Sequence, residues 1–411
     1  VTLTITHGRE PRPGITVHFQ NADSSLVATV VTDANGVAVA DMRAGGFVTA
    51  VSPFDAAGEA PTVYSYAGVR PGDALKLHTG RDPDLIDVEV RIPRDEDADA
   101  YVLHTSCNFG RYELSGGGGS ASLPGGHIEI PGCPTTDMLL ETFDANGVPA
   151  KFIYRADVPL ADGELVDLTD SEYRDMIDMT YTFTHVPDGL SSVFATTSLM
   201  NATGRALFGA IVVPVENGTA TTIEKRPNAP GLRHFISSEI LTGGLGTHYI
   251  DEWGPVSNYT LDLNGVLLRE YATMPAFDAA THALAWSTTP GGVAPDLASA
   301  RLEFTRSEPQ QEWRWLIVGP ADTADELVFP VLPGDAQQLN PLAGDAVTYE
   351  IVQTAKVPGG YDAFRATYFS DRITGLMSSP AGRAVFQNIT QSSAARERTH
   401  VQSTGLRASQ M

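Results

Sequence analysis

Apolar and polar residues alternate with a period of two through the first fifty residues. "VTLTIT" (1–6), "GITVHFQ" (14–20), "LVATVVTD" (26–33), "GVAVADM" (36–42) and "GFVTAVS" (46–52) all carry the pattern. An extended strand places every second side chain on one face, so these runs predict half-buried strands. Similar runs recur at 84–93, 101–107, 180–186, 192–200, 206–215, 220–226, 282–287, 299–306, 312–319, 326–333 and 346–357. The 39 Gly and 27 Pro residues are spread along the whole chain and supply the turns that many short strands need. The expected fold class is all-β: several tandem β-sandwich modules with at most one short helix. A T-x-x-E capping box at Thr169 and Glu172 places that helix over "YRDMIDM" (173–179).

A chain of 411 residues exceeds one ordinary core. The expected modules are 1–80, 81–175 with the cysteine pair, 176–275 and 276–380, followed by 381–411 as a tail or docking strand. A short acidic phrase punctuates them: "TDANG" (32–36), "FDAAG" (54–58), "FDANG" (143–147) and "FDAAT" (277–281). Asp bonds forward to the backbone, and Asn or Gly tolerates positive φ, so the phrase reads as a hairpin corner. Residues 54–69 and 143–158 share Phe, Asp, Ala, Gly, Ala and Val in register, a weak internal repeat.

"PGITVHF" followed by "TDANGVAVADMRAGGFVTAV" resembles the carboxypeptidase regulatory-like, or transthyretin-like, β-sandwich family. Residues 276–358 are similar to a fibronectin type III sandwich, through Trp286, "LVFPVLPGDA" and "YEIVQTA". The layout as a whole resembles secreted bacterial lipoproteins of unknown function. These resemblances imply folds and carry no activity.

Cys107 and Cys133 read as a disulfide that suits an exported β protein. Two rival readings are separate buried thiols and a metal site formed by His104, Cys107, His127 and Cys133, whose spacing matches no common zinc module. The acidic run Asp95-Glu96-Asp97-Ala98-Asp99 clusters oxygen ligands of the kind calcium takes. It has no Gly at the sixth position and Ser106 at the twelfth, so it reads as a solvated turn. "HGRE" (7–10) fits H-x-x-E on paper, but it precedes Pro11 at a strand end and reads as a polar turn. Trp313 and Trp315 flank Arg314 and share a strand face, which is either core packing or a platform for sugar rings. Trp253 is a second candidate for sugar stacking. N-x-T sequons stand at Asn201, Asn217, Asn258 and Asn388.

No nucleophile elbow, H-E-x-x-H, phosphate-binding loop or C-x-x-C-H occurs, so no catalytic residues are assigned and the chain is read as a non-enzyme. The net charge of −23 opposes nucleic-acid and anionic-membrane partners. No apolar run is long enough to span a bilayer as a helix. The sequence opens on Val1, not Met, so something was removed, and the lack of a visible signal peptide does not argue for the cytoplasm. The expectation is an exported structural, adhesion or assembly protein of the bacterial envelope or extracellular space. It needs no cofactor and binds other subunits or copies of itself. The alternatives are a carbohydrate-binding or carbohydrate-active protein and a calcium-dependent adhesin.

Overall fold

The computed structural model describes the chain apart from residues 8–9, 53–59, 80–84, 108–109, 115–123, 187–191, 202–205, 216–219, 242–244, 255–256, 322–324, 367, 371–382 and 390–411. For 110, 131, 192–197, 206–215, 220–224, 253, 349–350, 368–370 and 383–389 it describes the backbone alone.

Twelve strands join in one long sheet. In chain order they are β1 (Thr16–Gln20), β2 (Leu26–Val31), β3 (Gly46–Ser52), β4 (Thr62–Val69), β5 (Ser192–Met200), β6 (Ala206–Val215), β7 (Arg233–Leu241), β8 (Thr247–Gly254), β9 (Leu297–Arg306), β10 (Gln311–Pro320), β11 (Ala346–Lys356) and β12 (Arg383–Ile389). Their spatial order is β6-β5-β7-β8-β12-β11-β9-β10-β4-β3-β1-β2. Every neighbouring pair is antiparallel except β10 and β4, which run parallel with Trp315 beside Val63. β12 lies between β8 and β11, with Tyr249 opposite Phe386 on one side and Ala355 opposite Phe386 on the other.

Smaller sheets accompany the long one. A five-stranded sheet contains Thr2–His7 and Ala74–Thr79 in parallel register. Another five-stranded sheet is centred on Ala100–Thr105, Thr135–Phe143 and Pro149–Pro159. Three-stranded sheets are built around Leu85–Arg91, Ile177–Thr184 and Ala283–Ala285. The all-β class therefore holds, with only two short helical segments among the described residues: a 3-10 turn at Gly334–Leu339 and an α-helix at Gly360–Arg365.

The apolar residues collect into four clusters. One joins Leu3, Val17, Phe19, Val48 and Tyr66 to Leu297, Leu316 and Val318. A second holds Val88, Tyr101, Leu140 and Val166. A third holds Tyr181, Phe183, Ile236 and Ile250 and takes in Leu139 and Phe152. The fourth, around Trp313 and Trp315, takes in Val63. β10 is thus covered on both faces: Trp313, Trp315 and Ile317 point one way, Leu316 and Val318 the other. That double burial explains why "WLIVG" is continuously apolar rather than alternating.

The expected helix over 173–179 is absent. Arg174–Asp175 and Ile177–Thr184 are strands there. The Thr169 hydroxyl and amide both bond the Asp167 carboxylate, at 2.6 and 2.9 Å, and close a turn. Met179, Tyr181 and Phe183 alternate into the core, and burying that face outweighs one cap. The α-helix forms instead at Gly360–Arg365, after Gly359 at φ 75°.

The acidic phrases behave as corners. Asp33 Oδ1 accepts the amides of Asn35 and Val37 at 2.8 and 2.9 Å. Asp144 Oδ1 accepts those of Asn146 and Val148, both at 2.9 Å. Asp278 accepts the Ala280 amide at 2.9 Å and the Thr281 hydroxyl at 3.0 Å. "FDAAG" at 54–58 lies outside the described residues. Gly36 and Gly147 close their turns at φ 70° and 73°.

The two glycines differ in surroundings. A Cβ on Gly147 meets nothing within 4 Å, whereas one on Gly36 would press into the Ile5 carbonyl and lie 2.8 Å from the Arg12 amide. Gly147→Ala is expected to cost about 1–2 kcal/mol for the left-handed backbone alone. Gly36→Ala is expected to cost about 1–3 kcal/mol more for overpacking. Urea unfolding of the two variants checks the order, and equal losses would contradict it.

Candidate functional site

The residues singled out for chemistry are dispersed and mostly engaged in structure. Cys107 and Cys133 are joined as a disulfide with Cα atoms 6.3 Å apart, and both are buried. The other two members of the metal reading point elsewhere. His104 Nε2 lies 3.0 Å from Glu141 Oε2 in a pair that is almost fully buried. His127 is exposed, with Nδ1 3.2 Å from Asp87. Among the described residues no three His, Cys, Asp or Glu side chains converge as a metal set.

The acidic run differs in one respect from a solvated turn. Asp95 is buried, and its Oδ1 lies 2.8 Å from Lys151 Nζ, which also reaches Asp97 at 3.4 Å. The Asp95 bond is the main reason the Lys151 ammonium is held above its ordinary range. The run is therefore clamped to the neighbouring strand Pro149–Pro159, while its other carboxylates face water. His7 and Glu10 of "HGRE" stand opposite each other across a two-strand ladder, as a turn requires.

Trp313 and Trp315 are completely buried. Trp313 stacks on Phe304 with ring centres 5.2 Å apart, beneath the Arg306 guanidinium at 5.0 Å. Trp315 Nε1 donates to Ser65 Oγ at 2.9 Å. Neither indole is a platform for a sugar. The Trp253 side chain lies outside the described residues. Of the sequons, Asn201 is buried, the Asn258 side-chain Oδ1 accepts the Thr180 amide at 2.9 Å, Asn388 is in β12, and Asn217 is outside the described residues.

What the fold does present is a sheet edge. β2 pairs only with β1 among the described residues, so its outer side is open. Its sequence is Leu-Val-Ala-Thr-Val-Val, with no charge and no proline. Ala28 and Val30 pack on the core, while Leu26, Val27 and Val31 are 49%, 38% and 57% exposed. Thr32 exchanges hydrogen bonds inward, its amide to Ile15 O and its carbonyl to the Gly14 amide. Because an antiparallel ladder alternates, Thr29 and Val31 turn their amides and carbonyls outward. Such an edge can take main-chain hydrogen bonds from another strand.

A second feature is the seam that ties strands from the two ends of the chain, Thr62–Val69 and Gln311–Pro320. Besides the parallel pairing of β4 with β10, the Tyr361 hydroxyl donates to Ala67 O at 2.6 Å and Val318 O at 3.2 Å. Arg365 donates to Gly68 O at 2.7 Å and pairs with Asp73 at 2.8 Å. Burial drives the Tyr361 hydroxyl well above its ordinary range, so it remains a donor.

The long sheet also carries buried titratable groups. Burial, with a smaller effect of Arg226, lowers His234 to about 3. Burial lowers His248 to about 4, against an opposing effect of Glu270. Burial raises the Asp251 carboxyl to about 7, offset in part by the Ser237 hydroxyl across the ladder. None of these positions stood out in the sequence.

No family model matches the chain, and no curated protein does. Solved structures overlap it loosely. The Bacillus anthracis TIE protein is 12% identical over 64% of this chain with a TM-score of 0.15, and the chain covers 49% of its length. A double mutant of the shaft pilin SpaA from Lactobacillus rhamnosus GG is 9% identical, covering 64% of this chain and 95% of that one, with a TM-score of 0.15. A streptococcal ancillary pilin is 12% identical over 70% of this chain and 94% of its own, with a TM-score of 0.13. Overlaps this loose assign neither fold family nor function.

Proposed function

We propose that this is a non-catalytic, exported structural protein that works by assembly or adhesion at the bacterial envelope or in the extracellular space. One observation carries the reading. Strands from 16–69, 192–254, 297–356 and 383–389 are threaded into a single twelve-stranded ladder that ends on an open edge. A ladder of that kind makes a stiff spacer from modules that could otherwise move independently. Its carboxylates also serve structure: Asp33, Asp144 and Asp278 order turns, and Asp95 is held by Lys151.

On this reading the modules are 1–80, transthyretin-like; 81–175, held by the disulfide; 176–275; and 276–380, fibronectin III-like. Residues 383–389 act as the strand that ties the third module to the fourth. The partners are other subunits or copies of the same chain, and no metal or cofactor is needed. Light scattering on size-separated protein, with electron micrographs of the same fraction, tests it. A defined oligomer, ring or filament is the expected result, unchanged by millimolar calcium. A monomer at every concentration would remove the assembly reading.

A further inference from the structure

The open side of β2 calls for a specific strand, and the chain contains one whose charge suits it. The edge is flanked by two exposed carboxylates, Asp23 before it and Asp33 after it. The molecule around it carries a net charge of −23. Pairing β2 with its own copy antiparallel would bring Asp23 of each molecule near Asp33 of the other, which like-charge repulsion opposes. Residues 396–407, "RERTHVQSTGLR", have the opposite character: Arg396, Arg398 and Arg407 against the single Glu397. Between Arg398 and Arg407 lies the uncharged run Thr399–Thr404, the length of β2, with basic residues at both ends to meet both aspartates.

Reach favours a neighbouring molecule as the donor. β12 ends at Ile389, and an added strand beyond β2 would lie eight strand positions away along the sheet. At about 4.8 Å per strand that path is about 38 Å. The ten residue steps from Ile389 to Thr399 span at most about 36 Å when fully extended. A segment of the same molecule has no slack along that path, whereas one from a neighbouring molecule has no such limit.

We propose that residues 399–404 of a second copy pair as an added strand along the outer edge of β2, with Arg398 and Arg407 against Asp23 and Asp33. The inference rests on the assembly reading above and names its partner. The donor and the acceptor are different surfaces, so the contact is head-to-tail and generates rings or filaments rather than a closed dimer. A bulge, which leaves Val27 without a partner in β1, confines the regular edge to Ala28–Val31. The contact is therefore short and depends on the outward amides of Thr29 and Val31.

The test uses the full chain and two independent variants. Val31→Pro removes one outward amide and no inward hydrogen bond. The triple change Arg396→Glu, Arg398→Glu, Arg407→Glu alters no member of the four described apolar clusters. Light scattering against concentration is expected to show the wild-type mass growing past the dimer, and each variant associating at least tenfold more weakly. A labelled peptide of residues 394–411 is expected to bind the triple variant, and to bind it at least tenfold more weakly once Val31→Pro is added. Circular dichroism confirms that Val31→Pro is folded, and the triple variant decides the matter if it is not. Assembly unaffected by both changes overturns the strand assignment and leaves the assembly reading standing. A monomer at every concentration, with no peptide binding, overturns both.

Discussion

Trp315→Ala is expected to lower the unfolding free energy by about 3–5 kcal/mol, the cost of truncating a large buried aromatic side chain. The indole is fully buried and meets Phe329 edge-on with ring centres 5.4 Å apart. Its Nε1 hydrogen bond reaches Ser65, 250 residues away in sequence. Ser65 also shares a hydrogen bond with Thr49 at 3.0 Å, so the contact continues from β10 through β4 into β3. Deleting the ring opens a cavity at the one parallel junction of the long sheet, where β4 meets β10. Trp315→Phe keeps most of the apolar volume and loses the hydrogen bond, which predicts a smaller loss of about 1–2 kcal/mol. Urea unfolding of the three proteins checks this, with fluorescence followed beside circular dichroism. An alanine variant within about 1 kcal/mol of wild type would mean that the indole does not hold β10 to β4.

The strands of this junction were legible in the sequence, but the junction was not. Alternation in "GFVTAVS" and the shared face of Trp313 and Trp315 are local properties, and local spacing fixes them. The aspartate corners were legible for the same reason, since each carboxylate bonds amides within four residues. Parallel pairing of Thr62–Val69 with Gln311–Pro320 depends on contacts across the whole chain, and periodicity says nothing about which strands become neighbours. Nor could it tell that "LVATVV" would be an edge while "WRWLIVG" would be buried on both faces. The misplaced helix at 173–179 shows the limit of a single cap signal, because Met179, Tyr181 and Phe183 carry a period of two through the same stretch. The buried His104–Glu141 pair left a faint trace: a His inside "YVLHT" and a Glu inside "MLLETF", polar residues within apolar runs.

Acidification is expected to weaken the fold, and Asp251→Asn is expected to make that weakening much steeper. His234 and His248 have folded values of about 3 and 4, below the unfolded value of 6.5. The unfolded chain therefore binds more protons below pH 6.5, and stability falls as the pH drops from there towards 4. Two and a half pH units amount to about 3 kcal/mol for each imidazole. Asp251 has the opposite sign. Its folded value of about 7 lies above the unfolded 3.8, so the folded state binds the extra proton between those limits. Its contribution is present at low pH and is lost as the pH rises through 7. Between pH 7 and pH 4 it returns about 3 kcal/mol, since half of the folded-state carboxyl is already protonated at pH 7, which leaves the wild type a net loss of about 3 kcal/mol. Asn has no proton to gain, so the variant should lose about 6 kcal/mol over the same range. At pH 8 the variant should be the more stable protein, because it no longer buries a carboxylate. Guanidinium unfolding of both proteins at pH 4, 7 and 8 decides the matter. Parallel pH profiles would show that the Asp251 carboxyl is solvated in the native state, and the burial of β8 within the long sheet would then be wrong at that position.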